Sequence, residues 1–142
     1  MKSNIVIFIN DDEKKDRIVT EAIKQAKIND AKVIIFHLNE EEVAFAGYDI
    51  YIEPRIFIKD MMLGTDLMDI VEKLNNEGIE NELVIMNSRA KSSTVYNKEL
   101  QDKYKPSLII LGYNKENLID RILGSTSENV IQYADCNVLV VK

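Results

Sequence analysis

The chain has one cysteine, one histidine, two prolines and no tryptophan in 142 residues. Cys136 therefore has no partner for an internal disulfide, which agrees with a reducing compartment. One histidine and one cysteine supply too few soft ligands for a transition-metal centre, so no metal site is predicted. No apolar run approaches the roughly 18 residues that span a bilayer. The start, MKSNIVIFIN, also lacks the basic flank and small-residue cleavage site of a signal peptide, and a cytoplasmic protein is expected. Positive charge is short as well, with 18 Lys+Arg against 24 Asp+Glu and a formal net charge of −6. Nucleic-acid backbones and anionic membranes would repel such a surface, which leaves small polar ligands and other proteins as expected partners. Repeats, linkers and low-complexity tracts are absent, and the length suits one domain, residues 1–142.

What is present is a regular alternation. Ile5 to Ile9 and Val33 to Leu38 are short continuous apolar runs, the pattern of strands buried on both faces. Between them Ile18, Val19, Ile23, Ala22 and Ala26 form a stripe at helical spacing, which predicts a helix from about Glu13 to Lys27. Leu67, Ile70, Val71 and Leu74 make a second stripe, closed by Gly78 at a left-handed C-cap. Leu83 to Met86 is a third strand. A helix capped by Ser92 or Ser93 then runs through Val95, Tyr96, Leu100 and Tyr104, and Pro106 stops it. Ser107 to Gly112 and Cys136 to Lys142 supply the last strands. Ser125 and Glu128 have capping-box spacing at the head of a helix carrying Val130, Ile131 and Ala134. Leu118, Ile119, Ile122 and Leu123 look like a short amphipathic turn. Five buried strands separated by helices imply parallel pairing with right-handed crossovers: a doubly wound α/β sheet with helices on both faces. Residues 40–60 break the rhythm and are expected to form an ordered surface excursion.

Ligands of such sheets bind beyond the carboxyl ends of the strands, where the strand order reverses. That places the candidate residues after the first, second and fourth strands, at Asn10 to Glu13, at Leu38 and Asn39, and at Leu111 to Lys115. Gly112 ends one strand, and Gly124 with Ser125 opens the next helix. Backbone N–H groups in that arrangement can cradle phosphates, although turn geometry alone also explains both glycines. Six acids, Asp11 to Glu13 and Glu40 to Glu42, fall at the same edge and favour helix N-termini through the dipole.

The run ILGY, a spacer ending LGS, and then SENVIQYADCNVLVVK resemble the C-terminal third of the universal stress protein family, whose signature is G-x-x-G, nine residues, then G-[ST]. The resemblance covers nearly the whole chain and is strongest from Leu108 onward. It implies a flavodoxin-like, adenine nucleotide alpha hydrolase-like sheet with strand order 3-2-1-4-5. It also implies a homodimer paired through the last strand, here Val138, Leu139, Val140 and Val141. In ATP-binding members an aspartate after strand one and an apolar residue after strand two hold the adenosine, while the glycine loop and G-[ST] hold ribose and phosphates. Leu38, Leu111, Gly112, Gly124 and Ser125 match those positions. Asn10 stands where the aspartate would be, and the second glycine has no counterpart: Tyr113, Asn114 and Lys115 follow Gly112, and Lys115 could compensate only as a point charge, which does not replace several aimed amides. The interval from Gly112 to Gly124 is one residue short, which removes up to about 3.5 Å of chain reach. The resemblance with these departures implies a regulatory stress-response protein that does not bind ATP tightly and needs no cofactor. A member binding ATP or AMP with Mg or Mn, hydrolysing slowly at most, is the alternative.

No catalytic residue is predicted. Ser125 has no neighbouring base, and a helix cap accounts for it. His37 ends an apolar strand, where a hydrogen-bonded packing role is expected. Cys136 reads as a small buried hydrophobe, with a redox-sensing thiol as the alternative. Tyr96, Tyr104 and Tyr133 are expected to pack helices. NDDE after the first strand also resembles the acidic pair of phospho-accepting receiver domains, but Asn87 and Ser88 stand where a receiver would carry its aspartate.

Overall fold

The computed structural model describes residues 2–9, 14–39, 62–87, 93–112 and 126–142. Five strands, β1 (Ser3–Phe8), β2 (Ala31–Asn39), β3 (Asn81–Asn87), β4 (Leu108–Gly112) and β5 (Asn137–Val141), form one sheet in the order β3-β2-β1-β4-β5. All four pairings are parallel. Among the described residues four helices connect them: α1 (Lys15–Asn29), α2 (Met62–Asn76), α3 (Ser93–Tyr104) and α4 (Thr126–Tyr133).

Alternation along the strands splits the core in two. Ile5, Ile7, Val33, Ile35 and Ile110 face Ile18, Val19, Ala22 and Ala26 of α1 and Leu67, Ile70 and Leu74 of α2. Val6, Phe8, Ile34, Phe36, Ile109 and Leu111 face Leu100 of α3 and Val130 of α4. Each fully buried Ile or Leu contributes about 1.5–3 kcal/mol of apolar burial, so both faces hold the sheet. Phe8 and Phe36 are register partners and meet edge-on, their ring centroids 4.9 Å apart.

The helix ends follow the expected chemistry. Gly78 has φ +71°, its N–H donates to the Asn75 carbonyl at 3.0 Å, and the Ile79 N–H donates to the Leu74 carbonyl at 2.9 Å. These are the two bonds of a Schellman stop, with buried Ile79 packed beside Leu74. Asp30, at φ 48°, ends α1 by the same left-handed turn, two residues beyond the expected limit. The start of α1 also moves, from Glu13 to Lys15.

Two packing expectations are corrected. Ile131 is 50% exposed and Tyr133 49%, whereas Val130 of the same helix is fully buried against the sheet. Gly112 is the last residue of β4 and has no positive φ, so no left-handed backbone requires glycine there. The 40–60 excursion, Asp11 to Glu13, the Leu118 to Leu123 turn and the Ser125 member of the capping box lie outside the described residues.

Candidate functional site

The chain builds outward from β1 to β2 and β3 on one side, then returns to place β4 and β5 on the other. The order therefore reverses between β1 and β4, and the crevice of a doubly wound sheet opens at their carboxyl ends. Register brings Ile9, His37, Leu38, Leu111 and Gly112 to that edge on three adjacent strands. Of the residues expected to bind nucleotide, Leu38 lies in β2 with Met86 as its register partner, and Leu111 and Gly112 end β4. Leu111 is 1% exposed and faces α3 and α4. Asn10, Lys115, Gly124 and Ser125 lie outside the described residues.

Gly112 has a specific neighbour. A Cβ there would stand 3.1 Å from the Lys14 Cβ and 3.2 Å from the Ile18 Cδ1, so the amino end of α1 packs directly on the glycine backbone. This requirement for glycine exists without a ligand. It also ties the start of α1 to the end of β4.

His37 was expected to be satisfied by packing, and the structure supplies its partner. The side chain is 5% exposed, and its Nδ1 lies 2.7 Å from the Ile9 carbonyl. A carbonyl can only accept, so this bond puts a proton on Nδ1. A polar residue inside an apolar strand was the sequence signal for the contact; its partner was not legible.

Polar bonds also gather at the opposite edge. Lys32 pairs with Glu82 at 3.2 Å, and Tyr104 Oη donates to the same carboxylate at 3.0 Å. Burial first, then the bond to Glu82 and its negative charge, push Tyr104 up to about 12. Lys2 reaches Asp30 and Glu80 at 3.9 and 3.8 Å. These contacts tie the amino ends of the strands. Among the described residues no group of three or more His, Cys, Asp or Glu could hold a metal ion.

The other feature of this side of the molecule is β5. It pairs only with β4, and its outer edge has no strand partner among the described residues. Leu139 and Val141 lie on the α1 face, whereas Val138 and Val140 lie on the other. Beside α1 they floor an open groove of about 570 Å³, walled by Asp16, Arg17, Thr20 and Glu21. Arg17 spans it and donates to the Lys142 carbonyl. Cys136, just before β5, is half-buried, and burial followed by the Asp135 charge raises its thiol above the ordinary range.

With this geometry in place, comparison with known proteins is decisive. A model described as the universal stress protein family matches residues 1–142. The chain belongs to the universal stress protein family. A relative named as a universal stress protein in Staphylococcus haemolyticus is 26% identical over 145 residues, spanning 98% of this chain and 84% of that protein. A solved universal stress protein from Archaeoglobus fulgidus in complex with dAMP has TM-score 0.67 and 18% identity, covering 100% of this chain and 98% of the other. One from Arabidopsis thaliana with AMP bound has TM-score 0.61 and 20% identity, covering 99% and 90%. At such identity these structures show a shared fold, the α/β sheet in the order 3-2-1-4-5. No helix among the described residues is long and apolar enough to cross a membrane.

Proposed function

We propose that this universal stress protein is a cytoplasmic regulatory homodimer joined along β5, and that it does not hold ATP tightly. The observation that carries the reading is the contrast between the two sheet edges. β3 sets Glu82 against Lys32 and ends in Asn87, whereas β5 is NVLVV, an apolar strand whose outer edge has no strand partner among the described residues. Exposed apolar edges invite pairing, and a second copy of the same strand satisfies their backbone groups. Asp135 and Lys142 flank β5 and are both exposed. An antiparallel partner would set each Lys142 near Asp135 of the partner subunit. Five residues of strand fall short of a stable interface of about 800 Å² per subunit, so the groove beside α1 belongs to the contact as well.

Weak ATP binding rests on Gly112. Its lack of a side chain is accounted for by Lys14 and Ile18, and the motif lacks the second glycine and one residue of spacing. The second reading is that an adenine mononucleotide binds at the carboxyl edge of the sheet, through the residues to which the family resemblance points: Asn10, Leu38, Leu111, Gly112, Lys115, Gly124 and Ser125. The relatives solved with dAMP and AMP favour it. Purified protein is expected to release no nucleotide on denaturation and to gain no thermal stability from millimolar Mg-ATP. A tight ligand at a hundred times its Kd would add about 2.7 kcal/mol, so a clear rise in Tm refutes weak binding. Light scattering should give a dimer; a monomer at high micromolar concentration refutes the β5 interface.

A further inference from the structure

We propose that α4 completes the homodimer interface: beside the paired β5 strands, Ile131 of each subunit packs on α4 of the other across the two-fold axis. The claim rests on the β5 homodimer reading and adds a helix contact to it. α4 lies over β4 and β5, with Val130 buried among Ile109 and Leu111 and with Val138 and Val140 packed against the same cluster. α3 closes its inner flank, where Gln101 donates to the Tyr133 carbonyl at 3.2 Å. A helix turns about 100° per residue, so with Val130 on the sheet and a right-handed crossover, Ile131 comes round to the flank away from α3, above the outer edge of β5. That flank is where its side chain is left exposed. Ala134, whose N–H donates to the Val130 carbonyl at 2.9 Å, continues the turn on the same flank and is half-buried. Ile131, Ala134, Val138 and Val140 thus form one apolar surface running from helix to strand.

Symmetry brings two such surfaces together. An axis that pairs β5 antiparallel with its copy in one continuous sheet keeps both α4 helices on the same face. Paired strands lie about 4.8 Å apart, so two helices each centred over a β4–β5 pair stand about 10 Å apart. Helices in contact pack at about 8–10 Å, which is the spacing this axis supplies. Five residues of strand bury too little area for a stable dimer, and the α4 contact adds to it on the face opposite the α1 groove. The surface is also held in place before pairing. Gln101 is buried and accepts from the Asp135 N–H at 2.7 Å while donating to Tyr133, so one amide clamps the turn between α4 and β5. A preorganised turn leaves little entropy to lose on association.

Sedimentation equilibrium of the full chain reads the dimer constant. Ile131→Glu is expected to weaken the dimer by about thirtyfold or more, because an isologous contact carries the change twice and sets two charges at the axis. Ile131→Met should stay within a few-fold of native. Met68 is also exposed, but on α2 beside β3 at the far end of the sheet, so Met68→Glu should leave the constant unchanged. Circular-dichroism melts establish that each variant is folded, and Ile131→Gln carries the same comparison should Ile131→Glu unfold. Lys142→Glu tests the strand pairing separately, since it sets like charges across the antiparallel strands at Asp135. Native affinity in Ile131→Glu, or an equal loss in Met68→Glu, overturns the α4 contact; a loss in Lys142→Glu alone then shows that the β5 reading survives without it. A native monomer at high micromolar concentration overturns both and leaves the surface to a different protein.

Discussion

Replacing Gly112 by alanine distinguishes a glycine kept for packing from one kept for phosphate. The new Cβ would sit 3.1 Å from the Lys14 Cβ and 3.2 Å from the Ile18 Cδ1, so neighbours must yield by a few tenths of an ångström. Lys14 Cβ is fixed to the backbone and yields only if the start of α1 moves, whereas Ile18 Cδ1 ends a fully buried side chain that must repack. Overpacking of this kind costs about 1–3 kcal/mol. The stiffer unfolded chain returns about 0.4–1 kcal/mol, which leaves a net loss of about 1 kcal/mol. Unfolding entropy for a chain of this length is roughly 0.3 kcal/mol per kelvin, so the melting temperature of ligand-free protein should fall by about 3 °C. Calorimetric or circular-dichroism melts read this directly. Ile18→Val removes one of the crowding atoms and costs about 1 kcal/mol alone. The double variant should then lose less than the two single losses combined, because the sites share a contact. A Gly112→Ala melt at or above the native value would refute the packing argument. Unchanged stability with weakened AMP binding would assign the glycine to the ligand.

Gln101 is 6% exposed; its Nε2 donates to the Tyr133 carbonyl at 3.2 Å and its Oε1 accepts from the Asp135 N–H at 2.7 Å. Gln101→Leu keeps the volume and abandons both groups, so urea titration should show a loss of about 2 kcal/mol, and an unchanged midpoint would contradict it. Tyr104 is held protonated by burial and by Glu82, its pKa raised from 10.0 to about 12. The fold favours the neutral phenol, so that contribution is complete below pH 10 and is lost as pH rises toward 12. Tyr104→Phe should therefore flatten this alkaline decline, and identical pH profiles would sink the assignment. Cys136 is raised by burial and then by Asp135, so a thiol reagent near neutral pH should modify the native chain more slowly than the unfolded one. Equal rates would restore the redox-sensing alternative.

The fold was largely readable because each signal is local. Short continuous apolar runs suit strands covered by helices on both faces, a stripe such as Ile18, Val19, Ala22 and Ala26 has one helical phase, and Gly78 marks a left-handed helix stop. The misreadings were of exposure. Ile131 and Tyr133 look like packing residues in sequence, but how wide a face a short helix buries depends on the neighbouring layer. The candidate site was legible only as an edge, since Leu38, Leu111 and Gly112 were placed correctly without their surroundings.

The sequence by itself determined the alternation of strands and helices, the acidic surface and the family, because periodicity, charge and motif spacing are properties of the chain taken in order. The tertiary structure decided who meets whom. The bond from His37 to Ile9 joins residues 28 apart, the packing of Lys14 and Ile18 on Gly112 spans the middle of the chain, and the place of β5 at the end of the sheet exists only once strand order is set. Such contacts have no sequence period, because they arise where the parallel crossovers bring distant strand ends to one side of the sheet.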